Sequence, residues 1–374
     1  MTLLALETSC DETSAAVTRD GRILANVVAS QISLHAEYGG VVPELAAREH
    51  LRNLMPVVQS ALREAEVSAA QLEAVAATRG PGLPNALLTG FKAAQALAFA
   101  LRKPFLGINH HEAHLYSPWI SGTPPAADFA AFQPNVSLIV SGGHTMLVHV
   151  AGELEHRVLG STLDDAAGEC FDKTGKLLGL PYPAGPVIDR LAAEGNPAAH
   201  VFPRPLINDA NDDFSFSGLK TSIRYFLRDH PALADDPQRL RDLCASVQAA
   251  IVDVLVIKTL KAAKRLGVRC VTASGGVTCN RALRRELAAA CARNQLALRL
   301  AENALCTDNA AMIGILAERI LRQRPQSNFQ PDDGDVLPNW SINDPTGGIS
   351  PTTSVEACKG RDETGRGSFF CNRD

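Results

Sequence analysis

The sequence predicts a two-lobed α/β protein with a cleft between its lobes. At 374 residues the chain is long enough for two domains or one bilobed unit. Short apolar strand-like runs alternate with helix-length stretches of 3.6-residue periodicity. The order strand-strand-strand-helix-strand-helix is read twice, once before residue 121 and once after residue 134, with no residue-level repeat. Two such halves facing each other leave a crevice at the carboxyl ends of their strands, where open α/β sheets bind ligands.

The first half opens with "LLALE" (3–7), "SAAVTRD" (14–20) and "RILANVVAS" (22–30), with "DG" at 20–21 as a hairpin turn. A helix follows from about Pro43, then a strand at 72–78, a glycine-proline turn, a buried helix at 86–101 and a strand at 104–108. Residues 121–134, "SGTPPAADFAAFQP", read as a linker or surface loop. The second half repeats the pattern with strands at 136–140, 145–150 and 156–161 and a helical insertion at about 162–237. It closes with a helix (238–265), a strand (268–274), a helix (279–294), a strand (296–300) and a helix (308–322). The expected lobes are 1–130 and 131–342. The stretch 343–374, rich in Gly, Ser, Thr, Pro and charge, is expected to be disordered.

Composition is ordinary for a globular protein, 46% hydrophobic and 20% charged. The net charge of −4 gives no global basic field, so nucleic acid would need a local basic face. Lys258, Lys261, Lys264, Arg265 and Arg269 are the candidates, a solvated helix face being the plainer account of them. Nine scattered cysteines with no C-x-x-C suit reduced thiols in a cytoplasmic protein. The N-terminus has no secretory signature, and no run of eighteen apolar residues predicts a membrane span.

"NHHEAHLY" (109–116) invites comparison with the zinc-protease motif H-E-x-x-H. Here the histidines four apart are His110 and His114, and the glutamate, Glu112, comes two positions after the first. Two helical positions are roughly 200° of rotation, so Glu112 turns away from any ion the pair shares. The metal reading survives, because residues four apart lie on one helical face. Asp308, starting a helix, is either its N-cap or a third, oxygen ligand. Two histidines and a carboxylate suit Fe(II) or Zn(II). "SGGHT" (141–145) and "SGGVTCNR" (274–281) each follow a strand, and paired glycines there let backbone N–H groups approach a phosphate. "ETSCDET" (7–13) places Asp11 and Glu12 in a hydroxyl-rich turn, able to hold a metal, water or an amine or to satisfy the turn itself. Asp172 lies mid-helix, a ribose acceptor or a solvated charge beside Lys173 and Lys176. "NDDFSFSGLKT" (211–221) is a lid or an insertion.

Taken in order, "ETSCDET", "HAEYGGVVPELAAREH" (35–50), "GPGLPNALLTG" (80–90), His110 and His114, "VSGGHT", "DDAAGECFDKTGKLLGL" (164–180), "DFSFSGLKT", "SGGVTCNR" and "CTDNAAM" (306–312) resemble the TsaD family of bacterial type, the tRNA N6-adenosine threonylcarbamoyltransferases once mislabelled as glycoprotein endopeptidases. The resemblance covers residues 1–342. It implies a two-lobed actin-like ATPase (ASKHA) fold with duplicated RNase H-like subdomains. It implies metal ligands at His110, His114 and Asp308, for Fe(2+) or alternatively Zn(2+). It implies a substrate loop at Ile139, Val140, Ser141, Gly142 and Gly143, further substrate contacts at Asp172, Gly185, Asp189 and Asn280, and activity-bearing carboxylates at Asp11 and Glu12. The implied donor is threonylcarbamoyl-AMP. The implied acceptor is N6 of the adenosine 3′ of the anticodon in tRNAs reading codons that begin with A. A TsaB-type paralogue and a TsaE-type ATPase are the implied partners. His111 stands where relatives often carry methionine, and Ala184 where a glycine is common. A nucleotide-hydrolysing enzyme of the same fold leaves the histidine pair unexplained, a scaffold would lack the triad, and a protease lacks its base.

Overall fold

The computed structural model describes residues 1–233, 236–323 and 334–344. Two mixed sheets frame it, and their cores share one topology. In the first, β1 (Thr2–Glu7), β2 (Glu12–Arg19) and β3 (Arg22–Ser30) form an antiparallel meander, and β4 (Ala74–Gly80) and β5 (Phe105–Asn109) continue from β1 in parallel. In the second, β8 (Asn135–Val140), β9 (Thr145–Gly152) and β10 (Glu155–Ser161) form the meander, and β11 (Cys270–Ser274) and β12 (Ala297–Leu300) run parallel to β8. The orders are β5-β4-β1-β2-β3 and β12-β11-β8-β9-β10. The repeated order of elements in the sequence is thus a repeated sheet, the actin-like architecture that the resemblance implied. Strands β1, β4, β8 and β11 are buried at every position, as strands covered on both faces must be.

Helices α1 (Ile32–Ala36), α2 (Pro43–Glu64) and α3 (Pro84–Leu101) belong to the first half, α2 and α3 each starting on a proline, which costs no hydrogen bond at that position. Val57 and Phe91 join Leu4, Leu6 and Val17 in the core beneath them. The short α4 (His110–Tyr116) follows β5 directly. Helices α5 (Ala167–Leu177), α6 (Ala184–Ala192), α7 (Ser217–Asp229), α8 (Pro237–Leu266) and α9 (Arg281–Arg293) surround the second sheet. By length and composition α8 qualifies as a membrane span, but 78% of its most apolar window is buried inside the protein, so it serves as a core helix.

Three features depart from the sequence reading. The stretch read as a linker holds β6 (Ile120–Ser121) and β7 (Ala126–Ala127), which extend the first sheet beyond β3. After α10 (Asn303–Cys306), the helix read as completing the second half, α11 (Ala310–Gln323), packs on β1, β2 and β3. Its Met312, Ile313 and Leu316 share one core with Leu3 and Ala16 of the first sheet and Met146 and Val148 of the second. Residues 334–344 bridge the halves: Leu337 N–H donates to the Arg79 carbonyl at 2.8 Å, and Val158 N–H of β10 donates to Asn343 Oδ1 at 2.9 Å. The tail expected to be disordered lies outside the described residues, apart from Asn343 and Asp344.

Candidate functional site

The histidine helix is fixed at its start by Asn109, whose Oδ1 accepts the Glu112 N–H at 3.1 Å. One turn separates His110 and His114, and their rings meet edge to face with centroids 4.8 Å apart. Asp308 Oδ1 lies 3.1 Å from His114 Nε2 and 3.4 Å from His110 Nε2. Donors about 2.1 Å from a tetrahedral ion stand about 3.4 Å from one another, so each histidine nitrogen stands from Asp308 at a spacing that suits a shared cation, and the three donor atoms all lie within 4.8 Å of one another. Among the described residues no other group of three such donors converges. Asp308 is free to ligate because other groups cap α11. Asn309 Oδ1 accepts the Met312 N–H at 3.2 Å, Ser14 Oγ accepts from Ala310 at 2.9 Å, and Asn26 Oδ1 accepts from Ala311 at 3.2 Å. Glu112 faces His156, 3.9 Å away, as the helical rotation required.

Glu7 completes the centre, and sequence reasoning missed it. Its side chain is fully buried at the end of β1. Its Oε2 accepts from His110 Nδ1 at 3.0 Å and from the Thr78 hydroxyl at 2.5 Å, and its Oε1 accepts the Ser9 N–H at 2.5 Å. A carboxylate on Nδ1 would orient the ring so that Nε2 could ligate an ion held with His114 and Asp308. The signal was a carboxylate ending an apolar strand, a place where an unpaired charge is costly. Burial alone would raise the pKa of Glu7 and of Asp308, but His110 beside them brings both below the usual carboxylate range. Burial opposes a charge on His110, yet Asp308 and Glu7 outweigh it and hold that imidazole protonated well above its usual range. Metal binding would displace this proton, as binding to a basic donor set requires.

Asp11 and Glu12 occupy the β1–β2 turn beside this centre. Burial, Asp11 and Asp308 together push Glu12 well above the carboxylate range, so it keeps its proton more tightly than a free acid. A bound cation would reverse part of that shift.

Both glycine turns meet the metal helix. In the first, Ser141 N–H donates to the His144 carbonyl at 2.8 Å and His144 N–H to Ser141 Oγ at 3.1 Å. Gly142 and Gly143 are exposed, with open space where a Cβ would stand. Ile139 and Val140 end the buried strand beneath them. In the second, Gly275 has φ +93°, and a Cβ there would strike the Val140 carbonyl, so the turns touch through glycine backbone. Ser274 Oγ donates to the His114 carbonyl at 2.7 Å, joining this turn to the metal helix. His111 stays out of the triad and packs edge to face on His144, centroids 4.1 Å apart. Burial and the charge on His110 hold His144 at about 4, so it is neutral.

The remaining predicted contacts line the α5–α6–α9 wall, with polar atoms already engaged. Asp172 Oδ1 accepts the Ala184 N–H at 2.8 Å and the Gly185 N–H at 3.4 Å. Asp189 pairs with Arg281 at 2.7 Å. Asn280 caps α9 by accepting from Leu283 at 2.9 Å and donates to Gln248 at 2.6 Å. Burial first, then Asp11 and Asp172, suppress the ionisation of Tyr182. In "NDDFSFSGLKT" the serines are spoken for: Ser215 and Ser217 donate to Asp164, both at 2.6 Å.

The family model for TsaD, tRNA N6-adenosine threonylcarbamoyltransferase, matches residues 22–315. The chain belongs to the TsaD family. A curated relative of that name from Geotalea uraniireducens is 51% identical over 343 residues, 91% of this chain and 97% of the relative. One from Geobacter metallireducens is 50% identical over the same shares of each chain. Among solved structures, full-length HypF in a phosphate- and nucleotide-bound form aligns with TM-score 0.56 at 14% identity, over 86% of this chain and 46% of that one, a likeness of fold. This TsaD-family enzyme is therefore a threonylcarbamoyl transferase with tRNA as substrate, and its His-His-Asp group fits a divalent metal.

The basic face proposed for tRNA needs correction. Lys258 is buried, its Nζ donating to the Asn211 carbonyl at 3.0 Å. Lys261 donates to the Ile207 carbonyl at 2.6 Å and Arg265 pairs with Asp212. These three hold the insertion onto α8; Lys261 and Arg265 are exposed but already engaged there, and Lys264 and Arg269 are the other exposed charges of the set. Sequence spacing could not separate buried from exposed positions on α8, because the helix is apolar around most of its circumference.

Proposed function

We propose that this TsaD-family chain transfers the threonylcarbamoyl group of threonylcarbamoyl-AMP to N6 of the adenosine 3′ of the anticodon, in tRNAs reading codons that begin with A. The observation that carries the reading is the convergence of the histidine–aspartate triad with both glycine turns, tied by the Ser274–His114 hydrogen bond. In this reading Gly142 and Gly143 offer backbone N–H groups to the adenylate phosphate, while Ile139, Val140 and Ser141 form the floor of the turn. Gly185, and Asp172, Asp189 and Asn280 with some rearrangement of their present hydrogen bonds, line the nucleoside side. A divalent ion on His110, His114 and Asp308, Fe(2+) first and Zn(2+) second, supplies Lewis-acid charge near the donor oxygens.

The acceptor is a weak nucleophile, so holding it against the carbonyl is the main task. Its nitrogen forms the new C–N bond, the bond to the phosphate oxygen breaks, and AMP leaves. Asp11 or Glu12 orients the attacking amine or relays its proton. A TsaB-type paralogue and a TsaE-type ATPase are the partners in this reading. It is supported by a row of exposed apolar side chains on adjacent helices, Leu51 and Met55 on α2 and Leu88 and Phe99 on α3. All seven described cysteines are free thiols, which suits a cytoplasmic location.

The test is to incubate protein, Fe(2+) or Zn(2+), both partners and threonylcarbamoyl-AMP with unmodified tRNA, and to assay digested tRNA for threonylcarbamoyl-adenosine by mass spectrometry. Product is expected from the wild type and is lost in the His110→Ala/His114→Ala double variant. Asp11→Asn is expected to lower turnover with donor binding near wild type. No product despite bound adenylate would sink the reading.

A further inference from the structure

The motif "HAEYGGVVPELAAREH" begins and ends on histidines, His35 and His50, and both are fully buried. A chain of hydrogen bonds links them to the carboxylate turn, and its polarity sets each tautomer. The Val42 N–H donates to His35 Nδ1 at 3.3 Å, which leaves the proton on Nε2. His35 Nε2 donates to Gln31 Oε1 at 3.2 Å. Gln31 Nε2 donates to His50 Nδ1 at 3.4 Å, and its backbone N–H donates to the Asp11 carbonyl at 3.0 Å. His50 therefore carries its proton on Nε2 and donates it to the Cys10 carbonyl at 3.0 Å. Its Nδ1 also accepts the Thr13 hydroxyl at 2.8 Å. One imidazole thus grips the residue before Asp11 and the residue after Glu12.

We propose that His50 is a positioning residue for the Asp11–Glu12 turn, fixing the two carboxyl groups against the acceptor amine. A hydrophobic replacement of equal size would fill its space but would release the turn at both ends. A buried ring that only filled space would have no need of opposed donor and acceptor partners on either side of two acids. Catalytic geometry is sensitive to such release, since a displacement of about 1 Å can cost about 100-fold in rate.

The inference rests on the transferase reading with Asp11 and Glu12 as its carboxyl groups, and the experiment separates the two. His50→Leu, His50→Gln, His50→Gly, Asp11→Asn and Glu12→Gln are assayed with partners, tRNA and donor, together with metal content and melting temperature. In His50→Leu, kcat is expected to fall about 10- to 100-fold, while the donor KM and the metal content stay within about twofold of wild type. His50→Gln, which can donate and accept along the same line, should recover much of the loss, and added imidazole should raise the rate of His50→Gly. If Asp11→Asn and Glu12→Gln lose turnover while His50→Leu keeps its kcat, the inference is overturned and the carboxylate reading stands. If Asp11→Asn and Glu12→Gln both keep turnover, the carboxylate reading fails and takes the inference with it. A loss in His50→Leu that tracks melting temperature and metal content, without rescue by glutamine or imidazole, overturns it in favour of a purely structural ring.

Discussion

Glu7→Gln is the most discriminating single change at the metal centre. Three donors converge on the carboxylate: His110 Nδ1–H, the Thr78 hydroxyl and the Ser9 N–H. Glutamine has the same shape but one acceptor oxygen. With its amide nitrogen towards Ser9, two N–H groups collide. With its amide nitrogen towards His110, the Thr78 hydroxyl can rotate to accept, but His110 must accept too, which moves its proton from Nδ1 to Nε2, the atom aimed at Asp308 and the ion. Either arrangement weakens metal binding. Losing such a partner typically costs about 10- to 100-fold in affinity, or about 1.4–2.7 kcal/mol. The metal-free protein should be destabilised as well, because the carboxylate that pairs with the buried His110 imidazolium is lost. Competition against a chelator of known affinity measures the first effect and thermal melting of the metal-free protein the second. Metal affinity within threefold of wild type would refute the idea that Glu7 sets the His110 tautomer.

Other positions give sharp expectations. Lys258→Met should cost about 1–3 kcal/mol in urea unfolding by removing a charged hydrogen bond to Asn211, and should leave tRNA affinity unchanged. Weaker tRNA binding without loss of stability would contradict its burial. Gly275→Ala should cost about 1–3 kcal/mol, seen as a lower melting temperature, because φ is positive and the methyl meets the Val140 carbonyl; an unchanged melting temperature would show that the turns are not in contact. Burial would raise Asp164, but hydrogen bonds from Ser215, Ser217 and the Phe216 and Ser217 N–H groups bring it down to about 2, against 3.8 when unfolded. Its contribution is therefore fully present above about pH 4 and lost as pH falls through about 2. Because the carboxylate is partly exposed and screened, that contribution is on the order of 1 kcal/mol. Asp164→Asn should narrow the stability gap to wild type between those pH values, and a gap independent of pH would refute the assignment.

How legible the protein was depends on whether a feature is local. The duplicated strand order was legible because each strand carries its own apolar run and most turns between strands their own glycine. The pair His110 and His114 was legible because helical periodicity places residues four apart on one face whatever surrounds them. Asp308 was ambiguous, since Asx residues at helix starts are usually caps; that Ser14, Asn26 and Asn309 accept from the first N–H groups of α11 instead depends on partners of which two lie nearly three hundred residues away in sequence. Glu7 was hidden for the same reason, as its partners His110 and Thr78 are remote in the chain. Lys258 misled because the apolar middle of α8 has no polar face by which to orient it. The α11 helix looked like the end of the second half because sequence order records connection and not packing.

These long-range bonds explain why the centre is assembled where the halves join. His110 and His114 come from the end of the first sheet. Asp308 comes from the loop entering α11, after the second sheet is complete. That loop is held by first-sheet residues through the α11 caps, and the second glycine turn is held to the first half through Ser274 and the His114 carbonyl. Each such bond contributes only about 1 kcal/mol, but α11 also buries apolar side chains against both sheets at once. Asp308, the candidate ligand on that helix's leading edge, is therefore registered to the histidines by the same packing that unites the halves. A substitution that loosens α11 from β1 and β2 should consequently weaken metal binding without touching a ligand, an effect that the position of Asp308 in the sequence would never suggest.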